Sequence, residues 1–178
     1  MLLTDELLVK RAKQGDGEAF VLLVRKQENR LFNIAYKILG NDQDCADVLQ
    51  ETMLKAYLQI NTLKNEAYFQ TWLCRILINE CKNLLEKNKR FSTIDIEKIN
   101  QDKYYSQNKI DESEFLMEFI TKTLNPIYSI PLILYYQSGF SIKEIGLILN
   151  EPIGTIKSKL ARGKILLKRT LKDLKEDE

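Results

Sequence analysis

Between residues 155 and 169 the chain crowds together Thr155, Lys157, Ser158, Lys159, Ala161, Arg162, Lys164, Lys168 and Arg169. These are the groups that read a DNA major groove. Arginine spans guanine O6 and N7, serine and threonine bond several base edges, and alanine touches a thymine methyl. Seven basic residues and no acid lie between Lys157 and Lys172. Thr155, Lys157, Ser158, Lys159, Ala161 and Arg162 are therefore the candidate base-reading set, and Lys164, Lys168 and Arg169 are placed to neutralise phosphates.

A second group suggests a different ligand. Trp72, Arg75, Asn79, Lys82 and Glu86 step by three and four, so on a helix they form one stripe, with Leu73, Leu77, Cys81 and Leu84 on the opposite side. A wet stripe of indole and cations, preceded by Tyr68 and Phe69, either suits unpaired nucleic acid, where aromatic faces stack bases and cations follow the backbone, or has Trp72 merely covering the edge of the bundle. A third group is acidic, with four carboxylates and no base between Asp42 and Glu51. Asp44, Asp47, Gln50 and Glu51 share one side of their helix, opposite Ala46, Leu49, Met53 and Ala56. Such a face is either solvated or docked on a basic protein surface.

Catalysis has little to stand on. The chain has no histidine, which removes the usual general base and any His-containing metal site. Cys45, Cys74 and Cys81 lack CxxC spacing and are expected as buried small hydrophobes. No phosphate-cradling glycine motif occurs. The expectation is a binding protein, not an enzyme, needing no cofactor and no metal. No apolar run approaches a membrane span, and the N-terminus becomes charged too early for a secretory signal, so a cytoplasmic protein is expected.

The elements that must position these groups are helical throughout. Phe20, Val24, Leu31, Ala35 and Ile38, then Ala46 to Ile60, then Leu73 to Leu84, recur at helical spacing and predict three long helices. Thr4 and Asp16 are N-cap candidates for a short leading helix and its successor, Gly40 stops the first long helix, and Asp42 can cap the next. Residues 91–112 lose the periodicity, and residues 93–114 carry six acids against three lysines, which predicts a flexible acidic linker. Helical spacing returns with Phe115, Leu116, Phe119 and Ile120. Pro131 predicts an irregular or split helix. Ser141 with Glu144 is a capping box that starts a helix at Ile142, burying Ile145, Leu147 or Ile148, and Leu149. Asn150 ends that helix, and Pro152 opens another whose buried stripe is Ile156, Leu160, Leu167, Leu171 and Leu174. Two helices joined by so short a turn form a helix-turn-helix. The expected fold is all-α, with two small helical domains at 1–90 and 113–178.

In order and spacing, "DCADVLQETMLKAY", "YFQTWLCRILINECKNLL" and "FSIKEIGLILNEPIGTIKSKLARGKILLKR" resemble the regions of bacterial extracytoplasmic-function (group 4) sigma factors of the sigma-70 family. The resemblance implies a transcription initiation factor that binds core RNA polymerase, directs it to a promoter and helps melt it. It implies that the helix carrying Asp47, Gln50 and Glu51 docks on the polymerase clamp. The loop holding Asn65 would capture an extruded base of the minus-10 element, and the Trp72 stripe would support the melted strand. Lys157, Ser158, Ala161 and Arg162 would read the minus-35 duplex, while the linker would lie in the polymerase's RNA path. An anti-sigma factor, often membrane-bound, is the implied negative partner. The alternative is a stand-alone helix-turn-helix regulator, which leaves the Trp72 stripe and the acidic helix without a role.

Overall fold

The computed structural model describes residues 4–92 and 124–176. Among the described residues every regular element is a helical segment. Helix α1 (Asp5–Lys13) is capped by Thr4, whose hydroxyl accepts the Leu7 N–H, and it carries acids in its first turn and bases in its last, matching the helix dipole. Helix α2 (Gly17–Leu39) starts on Asp16, whose carboxylate accepts the Ala19 N–H at 3.0 Å. That bond and then Arg11 hold the Asp16 carboxyl below its ordinary value. The helix ends at Gly40, which takes φ 79° and returns its N–H to Tyr36, a left-handed conformation that glycine adopts without strain.

Helix α3 (Asp42–Gln59) departs from the expected cap. Asn41, not Asp42, is the N-cap: its Oδ1 accepts the Asp44 N–H at 2.8 Å, while its Nδ2 donates to the Asp44 carboxylate at 2.8 Å. Two single-turn segments, Ile60–Thr62 and Glu66–Tyr68, then lead into α4 (Phe69–Ser92), which runs two residues past the expected domain boundary. Leu8, Leu23, Ile34, Val48, Leu73, Leu77 and Ile78 lie in one core, and all three cysteines are buried in it. The inward face of α3 differs from expectation. It is Cys45, Val48, Thr52 and Ala56, with Thr52 donating its hydroxyl to Val48 O at 2.7 Å, whereas Ala46 is exposed.

The second half opens with α5 (Pro126–Leu132), capped by Asn125 and started by a proline where a missing N–H costs nothing. Pro131 lies inside this helix and removes one ladder donor, and from Ile133 to Gln137 the backbone widens into a π-helical turn. The split expected from Pro131 is thus a change of helical pitch. Helix α6 (Ile142–Leu149) has the full capping box: Glu144 accepts from the Ser141 N–H at 2.8 Å, and the Ser141 hydroxyl accepts the Glu144 N–H at 3.3 Å. Ile148, not Leu147, faces inward. Asn150 closes α6 in the left-handed region, and α7 (Ile153–Glu176) follows.

The two halves pack together through α6 against α4. Arg30 of α2 donates to the Ser138 carbonyl and lies over the Phe140 ring, 4.3 Å from its centroid. Buried residues of both halves join one continuous cluster. The expected linker from residue 93 onward, the expected helix from Phe115 to Ile120, and the side chains of Leu171 and Leu174 lie outside the described residues. Among the described residues no helix is long and apolar enough to cross a membrane.

Candidate nucleic-acid interface

Helix α7 packs on α5 and α6 through Ile156, Leu160 and Gly163, which are buried, with Leu167 half-buried. At roughly 100° per residue, the opposite side carries Ser158, Ala161, Ile165 and Arg169. Lys157, Lys164 and Lys168 run along one flank, and Thr155, Arg162 and Leu166 along the other. All of these outward positions are exposed. Cations on both flanks of a face with small side chains near the helix start suit a rod lying between two phosphate walls. Thr155, Ser158, Lys159 and Arg162 also line an open groove of about 630 Å³, whose other wall is Ile127 and Tyr128 of α5.

Three side chains in this set are already engaged. The Ser158 hydroxyl donates to Gly154 O at 3.0 Å, which leaves its lone pairs for an incoming donor. Lys164 lies over the Tyr136 ring at 5.2 Å, and its pKa is raised chiefly by a hydrogen bond with Tyr136. Lys159 is the third. Its Nζ is 2.6 Å from the Glu151 carboxylate and its side chain is only 19% exposed, so its charge is answered within the protein. Lys159 and Glu151 line a cleft of about 290 Å³ between the halves, together with Lys82, Leu85, Glu86 and Lys89 of α4.

The Trp72 stripe is present on α4, with one subtraction. Arg75, Asn79 and Glu86 are exposed, Trp72 and Lys82 are half-buried, and Leu73, Leu77 and Cys81 are buried on the far side. Phe69 does not belong to the wet surface: it is 3% exposed, because the first turn of α4 points it into the core, and its ring centroid lies 6.0 Å from that of Trp72. Tyr68, one residue earlier, is 42% exposed. In the preceding loop, Ile60 and Leu63 are buried anchors. Asn65 is exposed and uses its Oδ1 to accept the Ala67 N–H at 3.0 Å, leaving its Nδ2 donors for a ligand.

On α3 the outward side carries Asp47, Gln50 and Glu51, all exposed. Asp44 is half-buried and tied to the Asn41 cap. Glu51 reaches Lys55 at 3.2 Å, and Lys55 in turn reaches Glu80 of α4 at 2.8 Å, an arrangement that raises the Lys55 pKa. The sequence reading missed the apolar residues on this face, Leu54 and Leu58, which are 53% and 69% exposed. Their spacing of four, continuing from Asp47 and Gln50, was the available signal. The face is acidic at one end and greasy at the other, which suits a protein surface better than water alone.

Among the described residues no group of acids and cysteines could hold a metal ion. Residues 23–91 match the family description "Sigma-70 region 2" and residues 119–167 match "Sigma-70, region 4". The chain is 30% identical to the ECF RNA polymerase sigma factor SigW of Bacillus subtilis over 93% of this chain and 96% of that protein. Two solved structures share the fold. One is CnrH in complex with the cytosolic domain of CnrY, with TM-score 0.73 and 20% identity over 95% of this chain and 97% of that one. The other is the sigma factor RpoE in complex with the anti-sigma factor NepR from Bartonella quintana, with TM-score 0.68 and 24% identity over 86% and 96%. The matches to regions 2 and 4 and the likeness over nearly the whole length agree: the chain belongs to the sigma-70 family, as an extracytoplasmic-function RNA polymerase sigma factor.

Proposed function

We propose that this sigma factor directs core RNA polymerase to promoters by dividing DNA reading between its halves and leaving catalysis to the polymerase. Residues 1–90 hold melted minus-10 DNA through Asn65, Tyr68, Trp72, Arg75, Asn79 and Lys82. Residues 113–178 read the minus-35 duplex through Thr155, Lys157, Ser158, Ala161 and Arg162, with Lys168 and Arg169 on phosphates. Asp47, Gln50 and Glu51 dock on polymerase. The observation that supports this reading is the presence, in one chain, of an exposed cationic face on α7 and a separate surface stripe of aromatic, amide and cationic side chains on α4. Extruding a base costs a few kcal/mol, which stacking on Trp72 and Tyr68 offsets.

The two promoter elements are about 25 base pairs apart, or roughly 85 Å at 3.4 Å per pair. A compact chain of this length has a radius of gyration of about 16 Å. Reading both elements therefore requires α6 to leave α4. By likeness to the RpoE–NepR complex, an anti-sigma factor is the expected negative partner. The place of action is the cytoplasm, where polymerase and chromosome are, with tethering at the membrane when the anti-sigma factor is membrane-held.

The test is transcription from a promoter library with core polymerase, alongside a gel shift of the chain alone. Selection of a shared two-part sequence only in the presence of core supports the reading. Strong duplex binding by the chain alone, unchanged by core, would instead identify a stand-alone helix-turn-helix regulator. Asp47→Ala and Glu51→Lys should each reduce co-purification with core at unchanged helicity, and undiminished co-purification would remove the docking role.

A further inference from the structure

The loop that carries Asn65 is held from outside its own domain motif. Lys13, the last residue of α1, places its Nζ 2.7 Å from Glu66 Oε1, and the two side chains are only 20% and 24% exposed. They are 53 residues apart in sequence. The Glu66 carboxyl lies below its ordinary value, first because of Lys13 and in part because Lys10 is also near. Glu66 directly follows Asn65 and opens the single turn that Asn65 caps, so whatever fixes Glu66 fixes the direction of the Asn65 donors. Helix α1 lies against both single-turn segments of this loop. It also lies upstream of residue 23, where the match to the region 2 family begins.

We infer that α1 is a brace for the base-capturing loop, and that Lys13 and Glu66 are positioning residues for minus-10 selectivity although neither need touch a base. The pair has a second effect. A lone carboxylate beside Asn65 would repel an incoming phosphate, and the Lys13 ammonium cancels it. Both effects predict that loss of Lys13 weakens capture of the strand. They diverge at Glu66, where charge cancellation alone predicts that removing the carboxylate helps and a brace predicts that it harms.

This inference rests on the minus-10 role proposed above for the Asn65 loop. The probe is a fork-junction DNA library, duplex upstream and carrying a randomised six-nucleotide single-stranded overhang, bound by holoenzyme assembled from core polymerase and the full chain. Lys13→Ala and Glu66→Ala should each weaken binding of the wild-type-selected overhang about three- to fivefold, the range a part-exposed pair supports, and broaden the selected sequences. The exchange Lys13→Glu with Glu66→Lys should return both affinity and preference to within about twofold, since it restores the pair in reverse. Binding of a fully duplex minus-35 fragment should stay level, and the melting temperature should fall only by the few degrees that loss of one part-exposed ion pair allows, because α1 keeps its buried Leu8, Val9 and Ala12.

Unchanged preference in both single variants, tighter binding by Glu66→Ala, or no recovery on exchange would each overturn the brace. A wild-type holoenzyme that selects no overhang sequence would instead overturn the minus-10 reading on which it stands.

Discussion

Gly163 sits where α7 crosses α5. A Cβ built there meets Leu132 Cδ1 at 2.9 Å, Leu132 Cγ at 3.4 Å and Tyr128 Cβ at 3.5 Å. Leu132 is 1% exposed, so its methyl has no free space to swing into. Gly163→Ala gains about 1 kcal/mol of helix propensity in a helix interior but incurs roughly 1–3 kcal/mol of overpacking. The net is a loss of about 0–2 kcal/mol. Gly154 supplies the comparison: it lies in the first turn of the same helix, and a Cβ there meets nothing within 4 Å. Gly154→Ala should therefore gain up to about 1 kcal/mol. The two chemically identical changes should separate by roughly 1–3 kcal/mol, which for a chain of this size is on the order of 2–12 °C in melting temperature. Thermal unfolding of both variants, followed by circular dichroism at 222 nm, is the assay. If Gly163→Ala melts at or above Gly154→Ala, the crossing is not closely packed and the reasoning that fixes the seat of α7 fails.

The remaining predictions concern charge. Arg162→Ala should lose about 1–3 kcal/mol of discrimination at one minus-35 base pair, whereas Lys168→Ala should weaken all sequences alike and flatten the salt dependence; identical effects in footprinting with holoenzyme would refute the groove assignment. Glu151→Gln should free Lys159 from its partner at 2.6 Å and steepen the slope of log affinity against log salt by about 0.9, the value of one phosphate contact. An unchanged slope would mean that Lys159 reaches no phosphate when released. Asp16, Glu66 and Glu144 all have depressed native pKa values. Their contribution to stability should be complete above about pH 5 and fade as pH falls through those depressed values. Urea midpoints from pH 7 to pH 3 check this, and a midpoint that rises on acidification would contradict it.

The local signals in the sequence were strong because short-range chemistry decides them. Ser141 and Glu144 bond within one turn, Gly40 needs only its own φ, and Pro131 removes its own donor, so the capping box, the helix stop and the irregular helix were legible. The cap of α3 went to Asn41 because Asn41 and Asp44 satisfy each other, a competition between neighbours that spacing alone does not rank. Phe69 was misread because it opens a helix whose first turn faces inward, where the aromatic residue type says nothing about direction. The pairing of Lys159 was not foreseen because its partner, Glu151, lies on the turn before the helix and not on the helix face. The contact of α6 with α4 has no sequence signal at all, since it depends on which apolar surfaces the two halves leave exposed to each other.

The three cysteines lie sealed in the first half, and burial pushes Cys45 up to about 11, Cys74 up to about 12 and Cys81 further still. Peroxide and electrophiles attack the thiolate, which at these values is scarcely populated near neutrality. A cell under oxidative insult thus finds these three thiols slow to react while the fold around them is intact.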